Sequence, residues 1–417
     1  MTQSINDFQE ESFKCIRCGL CQMVCPIYAE LGSEPAVARG KVRLVKELID
    51  GNLTVSPRFK EIMDLCLNCK ACVANCPPLV HTDKLVLAAR AHIADTLGLP
   101  LPTKAALQSF LPSSAMQGFV AKMGYLYQAS GMQGLLRQSG VIKAISADMA
   151  QKESLMPVFA SQSFRSQLSG MPQKKGGKIK VAYFLSCMTN MVNPSLGKTV
   201  IDVLERHGCE VVIPSAVQCC GTPHLSYGDT ATAKMLAANN VKLLQETGAA
   251  YIVTDCATCG GVLKEYGEQL PEAADFVRKV RDISEFLVDI VGVKVGEKPV
   301  ETTVTYHDSC HLNRGQGIKA QPREILKAIP GLAFREMPEA DRCCGGAGSF
   351  GMTHYDLSQR ILDRKLDHAV SVNADIIALG CPACKMQISH GIARRKLPLR
   401  ISHPIELLAK TFAGTTD

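Results

Sequence analysis

The sequence predicts an α+β protein: an all-α N-terminal domain wrapped around two metal-binding runs, a helical connector, and two tandem α/β domains related by an internal repeat. Three observations predict it. A four-cysteine run occurs twice before residue 78, and the segment between the two copies has helical periodicity. Further along, a five-cysteine pattern is written twice at a period of about 124 residues, each time among alternating strands and helices. These features divide the 417 residues into 1–95, 96–175, 176–300 and 301–417.

The first pattern is Cys15-x2-Cys18-x2-Cys21-x3-Cys25-Pro26, repeated as Cys66-x2-Cys69-x2-Cys72-x3-Cys76-Pro77. Three closely spaced thiolates wrap one face of a cubane, and the fourth cysteine of each run crosses to the other cluster. That rule assigns Cys15, Cys18, Cys21 and Cys76 to one [4Fe-4S] cluster and Cys66, Cys69, Cys72 and Cys25 to the other. Zinc also accepts C-x2-C, but a doubled run ending in Cys-Pro is the signature of paired cubanes. Between the runs, Val42, Leu44, Val45, Leu48 and Ile49 recur at helical intervals before Gly51, which makes the domain all-helical. Arg39, Lys41, Arg43 and Lys46 on this helix are expected on a solvated face, with an acidic partner as the alternative.

Nineteen cysteines dominate a composition that is otherwise that of a globular protein, 46% hydrophobic and 20% charged. Trp is absent and aromatics are 5%, so stacking platforms for nucleic acid are lacking, and no nucleic-acid partner is expected. The net charge of +7 comes from scattered residues, and thiolate-bound clusters would offset it. The N-terminal MTQSINDFQEESFKC has neither a basic nor an apolar signal region, and no stretch approaches 18 uncharged apolar residues. A cytoplasmic chain is expected, at most peripheral at the inner face of the cell membrane. In a reducing compartment, tight C-x2-C spacings point to metal rather than disulfides.

The second pattern runs from Cys187 through Cys219-Cys220-Gly221 to Cys256-x2-Cys259, and the third from Cys310 through Cys343-Cys344-Gly345 to Cys381-x2-Cys384. KIKVAYFLSC reads as a strand ending at Cys187, Ser195–Gly208 as a helix, CEVVIP as a strand, Asp229–Gly248 as a helix, and AAYIVTDC as a strand delivering Cys256. The later copy follows suit: TVTYHDSC ends at Cys310, Leu357–Ala369 is helical, and DIIALGC delivers Cys381. Alternation of this kind makes a parallel sheet whose carboxyl edge collects ligands, so each copy brings five cysteines together. Five thiolates exceed what a cubane or a zinc ion needs: either one is spare or the cluster is unusual. Cys209 has no counterpart and reads as a buried inert thiol.

The stretch RCCGGAGSFG also satisfies G-x-G-x-x-G at Gly346, Gly348 and Gly351. A dinucleotide turn needs a strand entering its first glycine and an acid about 20 residues on at a strand end; here Asp363 falls within a helix. The first copy, CCGTPHLSYG, lacks the pattern altogether, so the glycines are expected to bend around a metal site, and no flavin or NAD is expected in this chain. His224 and His311, close to cluster cysteines, are expected to serve in packing or hydrogen bonding. Residues 96–175 include amphipathic helices such as SAMQGFVAKMGYLYQASGMQGLLRQ, expected to pack on their own domain, with partner docking or a membrane surface as the alternative. PQKKGGKIK reads as a linker.

The doubled C-x31–32-C-C-G-x34–35-C-x2-C motif resembles the CCG (cysteine-rich) domain family. Tandem CCG domains behind CIRCGLCQMVCPIYAELGSE, ARGKVRLVKELIDG and CLNCKACVANCPP resemble the glycolate oxidase iron-sulfur subunit family over essentially the whole chain, with related subunits in D-lactate and anaerobic glycerol-3-phosphate dehydrogenases. The resemblance implies an electron-transfer subunit that works with an FAD-binding dehydrogenase subunit and passes electrons to quinone or another carrier. Heterodisulfide reductases share the modules and hold noncubane [4Fe-4S] clusters on their CCG cysteines, where a disulfide is cleaved. Carried over, one further cluster would use Cys187, Cys219, Cys220, Cys256 and Cys259, and another Cys310, Cys343, Cys344, Cys381 and Cys384. A disulfide-cleaving subunit is the alternative function, and zinc scaffolds the non-redox one.

Overall fold

The computed structural model describes residues 4–170 and 175–413. The N-terminal region is helical throughout. Ala38–Ile49, Pro57–Asp64 and Thr82–Leu97 pack on one another through Val42, Val45, Phe59, Met63, Leu85, Ala89 and Ile93. Their starts are written locally: Ser56 accepts from the Phe59 N–H at 3.1 Å, and Pro57 fills the first helical position, where its missing N–H is not needed.

Two four-stranded, fully parallel sheets follow. In the first, β1 (Ile179–Tyr183), β2 (Cys209–Val212), β3 (Tyr251–Thr254) and β4 (Val280–Asp282) lie in the order β2-β1-β3-β4. In the second, β5 (Thr302–Tyr306), β6 (Leu332–Phe334), β7 (Ile376–Ala378) and β8 (Arg400–Ser402) lie in the order β6-β5-β7-β8. The internal repeat therefore extends to topology. β1 and β5 stop at Tyr183 and Tyr306, short of the cysteines expected at their ends, because Cys187 and Cys310 open the next helices. The three-residue strands β4, β6 and β8 are too short to show a period and were not expected, whereas β7, equally short, was expected from its apolar run into Cys381.

The two copies share one core. Val181, Tyr183 and Val253 of the first sheet meet Val304, Tyr306 and Ile376 of the second in a single buried cluster. The helices cross over as a pseudo-twofold requires: Pro194–Arg206 packs on Pro404–Ala409 of the other copy, and Ala320–Ala328 packs on the segment 283–291. The arrangement sets the carboxyl ends of β3 and β7 beside each other, joined by a backbone hydrogen bond from Ala257 to Gly380 at 2.9 Å.

The N-terminal helices dock on both copies. Lys70 pairs with Glu265 at 2.6 Å and Lys84 with Glu268 at 2.7 Å. Arg90 donates to the carbonyls of Cys66 at 2.8 Å and Met63 at 3.0 Å, stitching the second cysteine run to its own helix. Gly228 (φ +83°) lies so close that a Cβ there would meet the Arg90 carbonyl oxygen at 2.4 Å, which excludes any side chain.

The connector is helical, as expected, and packs on the repeat domains through polar pins: Leu107 C=O to His224 Nε2 at 2.7 Å, and Pro112 C=O from Gln218 Nε2 at 3.0 Å. Its outer surface keeps Leu101, Phe119, Leu135 and Ile145 at 82%, 61%, 67% and 70% exposed. The segment thus packs on the repeat domains rather than on a domain of its own, and it keeps these apolar side chains exposed. The linker expected at residues 172–180 lies partly outside the described residues.

Candidate metal centres

Each N-terminal cysteine run winds through the same backbone. Arg17 and Asn68, at matching places, have φ +58° and +50°, and Gly19 and Lys70, also matching, have φ +87° and +58°. Left-handed turns at non-glycine residues cost free energy and persist where the surroundings enforce them. Here they curl the chain around two cavities of about 400 and 450 Å³, solvent-open space included. Cys15, Cys18, Cys21 and Cys76 line the first; Cys25, Cys66, Cys69 and Cys72 line the second, and Cys72 also borders the first. The fourth cysteine of each run thus lines the cavity of the other run. Backbone N–H groups already point at sulfur: Tyr28 to Cys25 Sγ at 3.5 Å, Asn68 to Cys66 Sγ at 3.4 Å, and Val80 to Cys76 Sγ at 3.4 Å. Burial pushes the Cys25 thiol up to about 11, and likewise raises Cys21 and Cys72, so these groups release protons when a metal binds.

The helix cations are not all on a solvated face. Arg43 and Lys46 pair with Glu47 and Asp50 on the surface. Lys41, only 2% exposed, borders the second cavity and donates to the Ala36 carbonyl, and Arg39 borders the first. Burial pushes the Lys41 ammonium down, and the thiolates of Cys66, Cys25 and Cys72 pull it up. A buried cation beside four thiolates offsets the negative charge of a thiolate-bound group.

In the repeat domains the five cysteines of each copy converge. Cys219 is hydrogen-bonded to Cys187 and Cys220, Cys220 to Cys259, and Cys259 to Cys256. The other copy repeats the order: Cys310 to Cys343, Cys343 to Cys344, Cys344 to Cys384, and Cys384 to Cys381. Two contacts join the sets into one line. Cys256 meets its counterpart Cys381 across the pseudo-twofold, and Cys343 meets Cys69 of the N-terminal domain. Hydrogen bonds from Cys219, Cys343 and Cys256 hold the Cys220, Cys344 and Cys381 thiols well below their ordinary value, favouring thiolate. Cys256 and Cys381 also sit at helix N-caps, where the dipole favours negative charge.

The Cys-Cys-Gly turn is held alike in both copies by different residues. Tyr266 Oη donates to Cys220 C=O at 2.9 Å, and Asn240 Nδ2 donates to Cys219 C=O at 3.0 Å. In the second copy Ser358 Oγ donates to Gly345 C=O at 3.0 Å, and Gln387 supports Ser358 at 2.9 Å. Gly221 and Gly345 have φ +91° and +81°, and a Cβ on Gly345 would meet Ser358 C=O at 2.8 Å, so the motif's glycine is obligatory. No strand enters Gly346: β6 ends at Phe334, and a four-residue helix, Phe350–Thr353, follows the loop. A Cβ on Gly346 would lie 3.6 Å from Cys344 Sγ, which places these glycines against sulfur.

His224 is a packing residue, buried and bonded to the connector. His311 lies with Nδ1 3.6 Å from Cys310 Sγ, and burial lowers its pKa. Cys209 sits apart, at the start of β2, its thiol pushed up to about 11 by burial. His307 was not anticipated: its ring, Cys344 Sγ and Cys384 Sγ bring donor atoms within 4.8 Å of one another. Aligning AYFLSC with TYHDSC would have exposed it as one of the polar replacements between the copies, beside Asp308 for Leu185.

A cavity of about 1,420 Å³, solvent-open space included, lies between the connector and both repeat domains and reaches Cys381. Its walls are mostly apolar, among them Leu155, Phe159, Met188 and Met386, and Lys385 and His403 also line it. Among the described residues no Asp or Glu lines it. His403 Nδ1 accepts from the Ile405 N–H at 3.2 Å, which leaves Nε2, buried and without a partner of good geometry, as the donor.

All-thiol donor sets on a dicluster scaffold and two cysteine-rich domains define an iron-sulfur protein. Residues 11–80 match the 4Fe-4S dicluster domain, 181–264 and 304–389 the cysteine-rich (CCG) domain, and 100–156 the linker region of the glycolate oxidase iron-sulfur subunit. The chain is 33% identical to the "Probable glycolate oxidase iron-sulfur subunit" of Bacillus subtilis, over 100% of this chain and 99% of that protein. It is 25% identical to the glycolate oxidase iron-sulfur subunit of Escherichia coli over 90% and 89%. Lactate utilization protein A of Oceanobacillus iheyensis is 32% identical over 55% of this chain and 96% of its own length. The chain belongs to the glycolate oxidase iron-sulfur subunit family.

Proposed function

We propose that this chain is the electron-transfer subunit of a flavin-linked dehydrogenase of 2-hydroxy acids, glycolate or D-lactate, and that it connects an FAD-binding partner subunit to a quinone. Cys15, Cys18, Cys21 and Cys76 hold one cubane [4Fe-4S] cluster, and Cys66, Cys69, Cys72 and Cys25 the other. Cys187, Cys219, Cys220, Cys256 and Cys259 hold a further cluster, as do Cys310, Cys343, Cys344, Cys381 and Cys384, with five thiolates suiting a noncubane form. Bound iron-sulfur clusters supply single-electron transfer, with potentials set by ligands, hydrogen bonds and burial. The observation that carries this reading is the line of cysteines from Cys187 through Cys256, Cys381 and Cys343 to Cys69. Oxidation of a 2-hydroxy acid to the 2-oxo acid releases two electrons and two protons, and a quinone takes up two of each. The acid-free apolar cavity at Cys381 supports binding of such a ring, with Lys385 as a donor to its oxygens.

The complex purified anaerobically is expected to carry about sixteen irons per chain, and glycolate or D-lactate should drive reduction of a soluble quinone. About eight irons would remove the five-cysteine sets from this reading. The complete five-cysteine sets also favour a second reading, disulfide cleavage at the cavity. If no flavoprotein accompanies the chain, and the chain alone reduces a disulfide with an artificial donor, the relay is wrong and the second reading stands.

The connector supports peripheral attachment to a membrane. From Lys104 to Lys143 it holds four cations and no carboxylate, and its exposed side includes Leu101, Phe119, Leu135 and Ile145. Among the described residues no helix is long and apolar enough to cross a membrane. The complex should sediment with anionic phospholipid vesicles, and Phe119→Glu with Leu135→Glu should abolish this. Equal recovery in the supernatant with and without vesicles would refute it.

A further inference from the structure

The two repeat copies agree in strand order, helix crossing and cysteine placement, so a departure from the repeat inside a cysteine site is informative. One departure lies at the strand ends. β1 and β3 are in register at Tyr183 and Val253, and the next residue, Phe184, donates its N–H to Val253 C=O at 2.8 Å. β5 and β7 are in register at Tyr306 and Ala378, and His307 donates its N–H to Ala378 C=O at 2.9 Å. Phe184 and His307 therefore occupy the same place in the two copies. Phe184 is buried in the same apolar cluster as Cys219, Cys220, Cys256 and Cys259.

His307 takes that place in the second site, 1% exposed, with neither ring nitrogen in a hydrogen bond of good geometry. Its polar neighbour there is the Cys344 thiol; a buried imidazole without a hydrogen bond of good geometry is costly, and such groups in native proteins have a bound ion, a water or a redox role to explain them. Its ring nitrogen, Cys344 Sγ and Cys384 Sγ lie within 4.8 Å of one another, close enough to share one metal ion. Imidazole nitrogen is an established donor to iron-sulfur groups, and a neutral donor raises the potential of the iron it binds relative to thiolate. The other nearby imidazole, His311, is directed at Cys310.

We propose that His307 is a nitrogen ligand to iron in the second five-cysteine site, a donor the first site lacks because Phe184 stands there. The two sites are then chemically unequal. The proposal rests on the reading that the five-cysteine sets hold iron-sulfur groups.

Protein labelled with 15N only in histidine and poised across a redox titration should show strong 15N hyperfine coupling in pulsed EPR. The coupling should disappear in His307→Phe, which copies the first site and keeps its packing, and should persist in His311→Phe. Mössbauer spectra of 57Fe-loaded protein register every iron whatever its spin, and those of His307→Phe should lose one component. If His307→Phe fails to load iron, His307→Cys, which keeps a donor in place, should restore iron content without the nitrogen coupling. Coupling that survives in His307→Phe overturns the proposal. So do Mössbauer spectra that superimpose when no coupling appears at any potential. An iron-free protein would instead defeat the reading on which the proposal rests.

Discussion

Cys343→Ala is expected to cost the anaerobically assembled protein roughly four irons per chain and to sever reduction of the remaining repeat-domain site from the N-terminal cubanes. Cys343 stands where the two regions meet: it is buried, hydrogen-bonded to Cys310 and Cys344 in its own site and to Cys69 of the N-terminal domain. Removing this sulfur breaks the line at its junction, whereas Cys187, at the far end, would end it without a gap in the middle. The control is Cys209→Ala. Cys209 is equally buried, but burial and Lys294 are all that shift its thiol, and it touches neither cysteine site. Its loss should leave iron content unchanged and cost on the order of 1 kcal/mol of packing. Iron analysis and EPR of both variants check the prediction. Equal iron in Cys343→Ala and wild type would remove Cys343 from the ligand set.

Asp282→Asn should stabilise the protein above pH 8 by up to about 4 kcal/mol and have no such effect below pH 4. Asp282, at the end of β4, is 1% exposed. Burial, reinforced by Glu285 and opposed by Lys264, pushes its carboxyl from 3.8 to about 7. One oxygen caps the following helix through the Ser284 N–H at 2.8 Å; the other has no partner. Because the folded value lies above the unfolded one, the stabilisation is fully present below pH 4 and is lost as pH rises through about 7. Asparagine keeps the capping oxygen and never ionises. Denaturant midpoints of the two proteins across pH 5 to 8.5 test this. A difference that does not grow with pH would show that the Asp282 carboxyl ionises alike in the folded and unfolded chains.

The doubled four-cysteine run, the Cys-Cys-Gly repeat and the parallel alternation were legible in the sequence because ligand spacing and strand period are properties of neighbouring residues. The crossing of Cys25 and Cys76 followed from the same run. β4, β6 and β8 were not legible, since three residues show no period; β7 is as short but was marked by the apolar run leading into Cys381. Lys41 was read as a surface cation because its helix presents other cations to solvent; only packing against the second cysteine run buries it. The connector's two faces could not be separated, since an apolar stripe looks the same whether a domain covers it or nothing in this chain does.

By itself the sequence determined which side chains carry the chemistry: the spacing of eighteen of the nineteen cysteines, and the glycines that must turn left-handed beside them. Only the tertiary structure decided how the sites meet. Cys256 and Cys381 are 125 residues apart in the chain and come together because the two copies pack about a pseudo-twofold through one shared core. Cys69 and Cys343 touch because the N-terminal helices dock on the second copy through Ile27, Leu67, Phe350 and Ile361. Contacts of this kind arise from burial of apolar surface between elements far apart in the chain, and no local pattern records them.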